Sequence, residues 1–366
     1  MNPSLFLALV QQYFPSLVLK IVEKYNGQNT PLPYYYRQYL RKVFSVDGKW
    51  STISVNNSLV AADLIAMDSE IPLKTRPTMG IYTGDIPKLG MELALNEKEL
   101  TDLQTLVARL GFNGSASTAQ IVAKLFRDTD RVIGGVYERL EMMFLQGLSS
   151  GVTVVDDSET VGTGIRLTFN YPTANQFTSS TTWANAGTAT PFTDMQKVID
   201  AAVNNGDVIT AVLMDRTTLN RIAATNEGKQ LYASASGFFG ANIPVPTLDQ
   251  LNTAVRAKYG FEIRIIERSV RLEKNGAKVA INPWKFGSVV FITSDQLGSL
   301  THARLAEMDH PSAGVSHQTA DEFMLVSKFV LNRPSLKEVT NVQARVIPVI
   351  DAVDQIYILD STVTTG

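Results

Sequence analysis

Residues 117–150 constrain this chain more than any other stretch. Ile121, Leu125, Val132, Val136, Leu140 and Met143 or Phe144 recur three and four apart, the spacing of a helix with one buried face. Arg127, Asp128, Asp130, Arg131, Glu138, Arg139 and Glu141 fall mostly on the other sides. Arg127 with Asp130, and Asp128 with Arg131, stand three apart and are placed to pair along the surface. Thr118 suits the N-cap, and Gly151 ends the pattern where a C-terminal glycine is expected. At 1.5 Å per residue this is a rod of roughly 45 Å, above the usual three turns. Gly134-Gly135 sits midway, where it weakens the helix and lets it bend. Alone, the stretch reads as a long core helix or as a spine spanning a flat subunit, and its flanks decide.

Before the rod, residues 2–25 read as one or two short amphipathic helices broken near Pro15, and residues 30–39, with Pro31 and Pro33, as an extended connector. From Lys49 to Asn96 the period changes to that of strands. Ile53 and Val55 alternate with polar residues, and Leu89, Met91, Leu93 and Leu95 alternate again after a turn-rich excursion. Two such strands make an extended hairpin, and a lone ribbon usually has to lie on something else. Asn96 with Glu99 forms a capping box for a helix through Leu100, Leu103, Leu106 and Leu110.

After the rod, Val152–Val155 and Ile165–Phe169 read as strands. Residues 170–193 carry no charge but hold Phe177 and Trp183, which points to an ordered loop packed on protein. A helix begins at Thr193 or Asp194. Residues 207–300 read as an inserted α/β block: a buried strand to Met214, a helix from Asp215, a Thr247-capped helix stopped by Gly260, a hairpin turn at Asn275-Gly276, and a strand over 286–292. Residues 322–332, 336–346 and 355–359 close the chain as strands, the last two separated by Pro348 and a turn at Asp351.

Little chemistry is encoded locally. Without cysteine there are no disulfides, thiolate metal sites or cysteine nucleophiles. His302, His310 and His317 are spaced eight and seven apart, which matches no compact metal motif. Asp156, Asp157 and Glu159 read as a solvated turn. No phosphate-binding glycine loop, nucleophile elbow or zinc-helix motif occurs, so no catalytic, metal or cofactor site is expected. A net charge of -2 argues against a dedicated nucleic-acid binder. No run reaches ~18 apolar residues and the start lacks a signal-peptide pattern, so a soluble, cytoplasmic protein is expected. Charged residues are 19% of the chain, below the roughly 25% of typical domains, as for surface covered by other subunits.

The order of these parts resembles the major capsid proteins of tailed bacteriophages with the Hong Kong 97 fold, and among them the lambda-type family. The resemblance rests on Leu5-Phe6-Leu7, on Ile86-Pro87-Lys88-Leu89, and on the strand-turn-helix Asp207 to Ile222. Asn282-Pro283 with Phe286 to Thr293 follows. The closing Ala344-Arg345-Val346-Ile347-Pro348-Val349-Ile350 and Asp354-Gln355-Ile356-Tyr357 complete it. It implies an α+β fold: an N-terminal arm (1–48), an extended hairpin loop (49–96), a peripheral domain (97–206, with the spine at 117–150), an axial domain (207–300) and a return to the peripheral domain (301–366). It further implies a shell protein forming the hexamers and pentamers of an icosahedral head around double-stranded DNA. The shell would be assembled in the bacterial cytoplasm with scaffolding and portal proteins, and with a decoration protein in some relatives. The hairpin would lie on an adjacent subunit through Lys74, Arg76, Tyr82, Lys88, Leu89 and Met91. Arg127, Arg131, Glu138 and Arg139 would mark the spine, and Gly237-Phe238-Phe239-Gly240 the tip facing the symmetry axes. Two other readings stay open here, an encapsulin-type compartment of the same fold and a soluble hydrolase with its site in 207–300.

Overall fold

A computed structural model describes residues 2–27, 34–55, 79–110, 115–155, 165–238, 240, 242–274, 277–332 and 335–364. The chain begins with α1 (Leu7–Tyr25), α2 (Tyr36–Tyr39), β1 (Leu40–Phe44), β2 (Lys49–Val55), β3 (Met79–Asp85) and β4 (Lys88–Leu95). Then come α3 (Glu97–Leu110), α4 (Ser115–Leu125), α5 (Arg127–Ser150), β5 (Val152–Val155), β6 (Ile165–Thr168) and β7 (Gln176–Ser179). Next are α6 (Pro191–Asn204), β8 (Ala211–Met214), α7 (Arg216–Ala224), α8 (Asn226–Ser236), α9 (Leu248–Tyr259), β9 (Glu262–Ile265), β10 (Val270–Lys274) and β11 (Ala277–Ile281). The chain closes with β12 (Ser288–Ile292), β13 (Gly298–His302), α10 (Ala306–Asp309), β14 (Ser316–Ala320), β15 (Met324–Leu331), β16 (Lys337–Ile350) and β17 (Ile356–Thr364). Two compact units result: Met1–Trp50 with Thr83–Glu141 and Ser299–Val349, and Ser51–Tyr82 with Met142–Gly298 and Ile350–Gly366.

The first unit is built on a six-stranded sheet, ordered β1-β13-β16-β15-β14, with β4 also paired to β16. β15 is buried on both faces, so its sequence shows no alternation. The hairpin expected over 49–96 is corrected here. Its outer strands do not pair with each other: β2 pairs with β3, while Leu89–Leu95 lies antiparallel to β16, with Leu89 opposite Ala344 and Met91 opposite Val342. Alternation sets which face a strand buries but not which neighbour it takes.

Three helix expectations also change. α1 runs unbroken through Pro15, because Val10, Phe14, Val18, Ile21 and Val22 are buried along it and that burial outweighs the lost hydrogen bond. Residues 36–39 form a helical turn rather than extended chain. The rod is two helices, since the ladder slips at Phe126. Thr129 N donates to Phe126 O at 3.0 Å instead of to Leu125, and the freed Leu125 carbonyl accepts from the buried Lys328 Nζ at 3.3 Å. α4 starts at Ser115, so Thr118 lies inside it rather than capping it. Gly134 and Gly135 do not interrupt α5. They admit close neighbours: a Cβ at Gly135 would clash with Met91 Sδ, and one at Gly134 would stand 2.7 Å from the Tyr25 hydroxyl.

The second unit centres on a mixed sheet ordered β7-β17-β12-β8-β9, with β12 antiparallel to β17 and β8, and the outer pairs parallel. Trp183, Phe192, Met195, Val198, Ile222, Leu251, Phe261 and Phe291 form its core. The inserted block is therefore larger than 207–300. The last strand, expected to rejoin the first body, is a central strand of this sheet, and Pro348 lies within β16 rather than between strands. Local signals hold well. Asn96 N donates to Glu99 Oε2 and Glu99 N to Asn96 Oδ1, both at 3.0 Å. Thr247 and Gln250 form a capping box, and Gly260 ends that helix at φ 82°. β10 and β11 pair as a hairpin with Lys274 opposite Ala277, while Asn275-Gly276 lies outside the described residues. The 170–193 loop is ordered around the buried Trp183.

Burial pushes the Lys328 ammonium down to about 8, against the opposing pull of Glu338 and Asp128. An unfolded chain holds this proton up to its ordinary pKa of 10.5 while the folded chain releases it near 8, so stability rises with pH across that interval. Between about pH 8 and about pH 9.5, before unfolded tyrosines ionise, wild-type stability is expected to gain roughly 1.5 kcal/mol relative to Lys328→Met. Urea unfolding of both chains across that range measures it.

Candidate assembly surfaces

The first unit is tied together by two buried carboxylates, each with several donors. Glu141 on α5 is fully buried and accepts from Tyr35 N at 2.9 Å and Tyr36 N at 3.1 Å, which caps α2. Asp321, at the turn between β14 and β15, accepts from Tyr137 Oη at 2.9 Å, from Arg37 Nη2 at 3.3 Å, and from Lys42 Nζ. Arg37 also stacks over Tyr137, 4.5 Å from the ring centroid. Burial first, and then the Asp321 charge, pushes the Tyr137 hydroxyl far above the ordinary tyrosine range, so it stays a donor. Asp321 and Glu322 both take positive φ (51° and 70°), a conformation uncommon outside glycine. The helical spacing assigns Glu141 to the outer faces of the rod, but the side chain is buried, where it accepts from the turn that opens α2. No local pattern reveals it. A lysine inside the apolar run of β15 was the signal for Lys328.

The spine residues divide. Arg131 pairs with Asp128 at 3.5 Å as expected, but Asp130 takes Lys24 at 3.6 Å rather than Arg127. Glu138 accepts from the Tyr34 hydroxyl at 3.1 Å. Arg127 is exposed and Arg139 half-buried.

The loop residues divide too. Lys74 and Arg76 lie outside the described residues, and Tyr82 lies on β3. Lys88, expected to meet a neighbour, pairs within its own unit with Glu307 at 2.6 Å. That bond holds the Glu307 carboxyl below its usual range, though both side chains are exposed and the pair is worth only ~0–1 kcal/mol. Leu89 and Met91 belong to the sheet, and Met91 packs on Gly135. Gly237 closes α8 at φ 67°, and Phe238, 38% exposed, lies against Gly240; Phe239 is outside the described residues.

The histidines do not converge. His302 sits between the rings of Phe44 and Phe323, where burial lowers its pKa, and His317 Nδ1 lies 2.7 Å from Ser327 Oγ. Among the described residues no group of His, Asp and Glu could hold a metal ion. Asp156, Asp157 and Glu159 fall outside them. No described helix is long and apolar enough to cross a membrane.

The model of the phage major capsid protein E family matches residues 68–359. The chain belongs to that family. Among solved structures it is similar to one described as a prophage capsid protein of E. coli CFT073, at 9% identity and a TM-score of 0.55, covering 93% of this chain and 97% of that one. It is also similar to a phage-related protein of Bordetella bronchiseptica RB50 (12%, TM-score 0.49, 95% and 99%) and to the capsid asymmetric unit of cyanophage A-1(L) (12%, TM-score 0.45, 92% and 95%). No curated protein matches. At 9% identity the first of these likenesses speaks for the fold alone, and that fold agrees with the Hong Kong 97-like architecture that the sequence resemblance implied. This capsid protein has a structural role, in the virion shell, and the encapsulin and hydrolase readings give way to it.

Replacing Asp321 by Asn keeps a residue that tolerates positive φ but leaves Arg37 without a charged partner. The subunit is expected to lose about 2–3 kcal/mol in chemical denaturation, while Lys88→Ala changes stability by less than about 1 kcal/mol.

Proposed function

We propose that this capsid protein self-assembles into the hexamers and pentamers of an icosahedral phage head, through a ribbon that each subunit lays on its neighbour. The supporting observation is the ribbon itself. β2 and β3 pair only with one another among the described residues, joined through residues 56–78. A two-stranded ribbon is marginal in water, so its apolar face is stable only against another surface. In a closed shell every copy offers the same ribbon and the same acceptor surface, a heterologous contact that closes by symmetry. Lys74, Arg76 and Tyr82 are the ribbon residues assigned to that contact; Lys88, Leu89 and Met91 are left to the subunit's own sheet.

In this reading the first unit is the peripheral domain and the second the axial domain, with Gly237-Phe238-Phe239-Gly240 toward the symmetry axes. The shell encloses double-stranded DNA without sequence preference, in keeping with a net charge of -2. It forms in the host cytoplasm with scaffolding and portal proteins, and takes no catalytic part.

Replacing residues 52–82 with a short Gly-Ser linker is expected to leave the circular dichroism of the subunit close to that of the parent while abolishing shells in sedimentation and negative-stain images. Shells of normal size and yield from this variant would refute the ribbon contact.

A further inference from the structure

A groove of about 310 Å³ runs between α1 and the junction of α4 with α5. Leu17, Ile21, Val122, Ala123 and Phe126 line it with apolar surface, and Lys20, Lys24 and Asp130 stand at its edge. Arg127 opens α5 one helical turn before Asp130, at the α4–α5 junction beside the groove. Asp130 is engaged by Lys24 at 3.6 Å, whereas Lys20 and Arg127 are exposed and have no ion-pair partner among the described residues. The result is an apolar trough with a net positive edge.

The chain carries a segment of matching chemistry. Residues 58–71 contain Asp63, Asp68 and Glu70 and no basic residue, and Val60, Leu64, Met67 and Ile71 recur four, three and four apart. This run belongs to the connection between β2 and β3 and lies outside the described residues. It is the part of the ribbon farthest along the chain from the subunit body. We infer that residues 58–71 of a neighbouring copy seat in the α1/α4–α5 groove, with apolar residues on Leu17, Ile21, Val122 and Phe126 and the carboxylates of Asp63 and Glu70 beside Lys20 and Arg127. The inference rests on the ribbon reading and names its acceptor. Apolar contact supplies most of the attraction. The charges set which way the segment lies and make the contact salt-sensitive.

The test uses the full chain. Lys20→Glu with Arg127→Glu is expected to lower shell yield about tenfold or more at low salt, with circular dichroism unchanged. Adding Asp63→Lys and Glu70→Lys to the same chain restores shells, because the paired charges are exchanged. A synthetic peptide of residues 58–71, in excess during assembly of the wild-type chain, blocks shells, and a scrambled peptide of equal composition does not. Wild-type yield from the Lys20/Arg127 variant, no rescue by the exchanged pair, or equal inhibition by the scrambled peptide would each overturn the groove assignment. These outcomes are separable from failure of the ribbon reading: if the ribbon is the assembly element but this groove is not its acceptor, deletion of 52–82 still abolishes shells while the Lys20/Arg127 variant still forms them.

Discussion

Buried carboxylates saturated with donors are the constraint on which the rest of this subunit depends. A carboxylate taken out of water is costly unless several hydrogen bonds or a cation replace the lost hydration. Here each one collects several donors, backbone or side chain. Glu141 takes two backbone N–H groups at the start of α2, and Asp321 gathers Arg37 of α2, Lys42 of β1 and Tyr137 of α5. In the second unit Asp194 accepts from Ser180 N and Oγ and from Trp183 Nε1, and so holds the uncharged link between β7 and α6. Asp215 caps α7 and also accepts from Gly287 N.

That arrangement suits a shell protein. Helices and sheets fix themselves through their own ladders, but connectors do not, and a subunit that must present the same surface to several neighbours needs its connectors fixed as well. The carboxylate pins do this beside the apolar core. They also separate two kinds of surface. Strands that first look available to a neighbour, such as β4, are consumed by the subunit's own sheet. What remains for assembly, in the proposed reading, is the ribbon and the groove beside the α4–α5 junction.

Family membership and local structure were legible in the residues. The capping boxes at Asn96-Glu99 and Thr247-Gln250, the αL stops at Gly151, Gly237 and Gly260, and the Asp215 cap are short-range features, and each depends on atoms within a few residues. The order of those parts along the chain was enough to identify the family, because topology in this fold is carried by the sequence of elements rather than by any catalytic motif. The contact residues of the loop were less legible. Lys88 carries the same charge whether it meets Glu307 at home or an acid on a neighbour, and nothing adjacent in the sequence distinguishes the two.

What the sequence determined by itself was therefore the identity of many helices and strands, the absence of thiol chemistry, and the family. The tertiary structure decided which strand lies beside which, that β17 completes the second unit's sheet, that Pro15 does not end a helix, and that the rod breaks at Phe126 where Lys328 reaches in. The physical reason is one of range. Spacing along the chain reports which face of an element is apolar, and only the competition among all such faces for burial selects their partners.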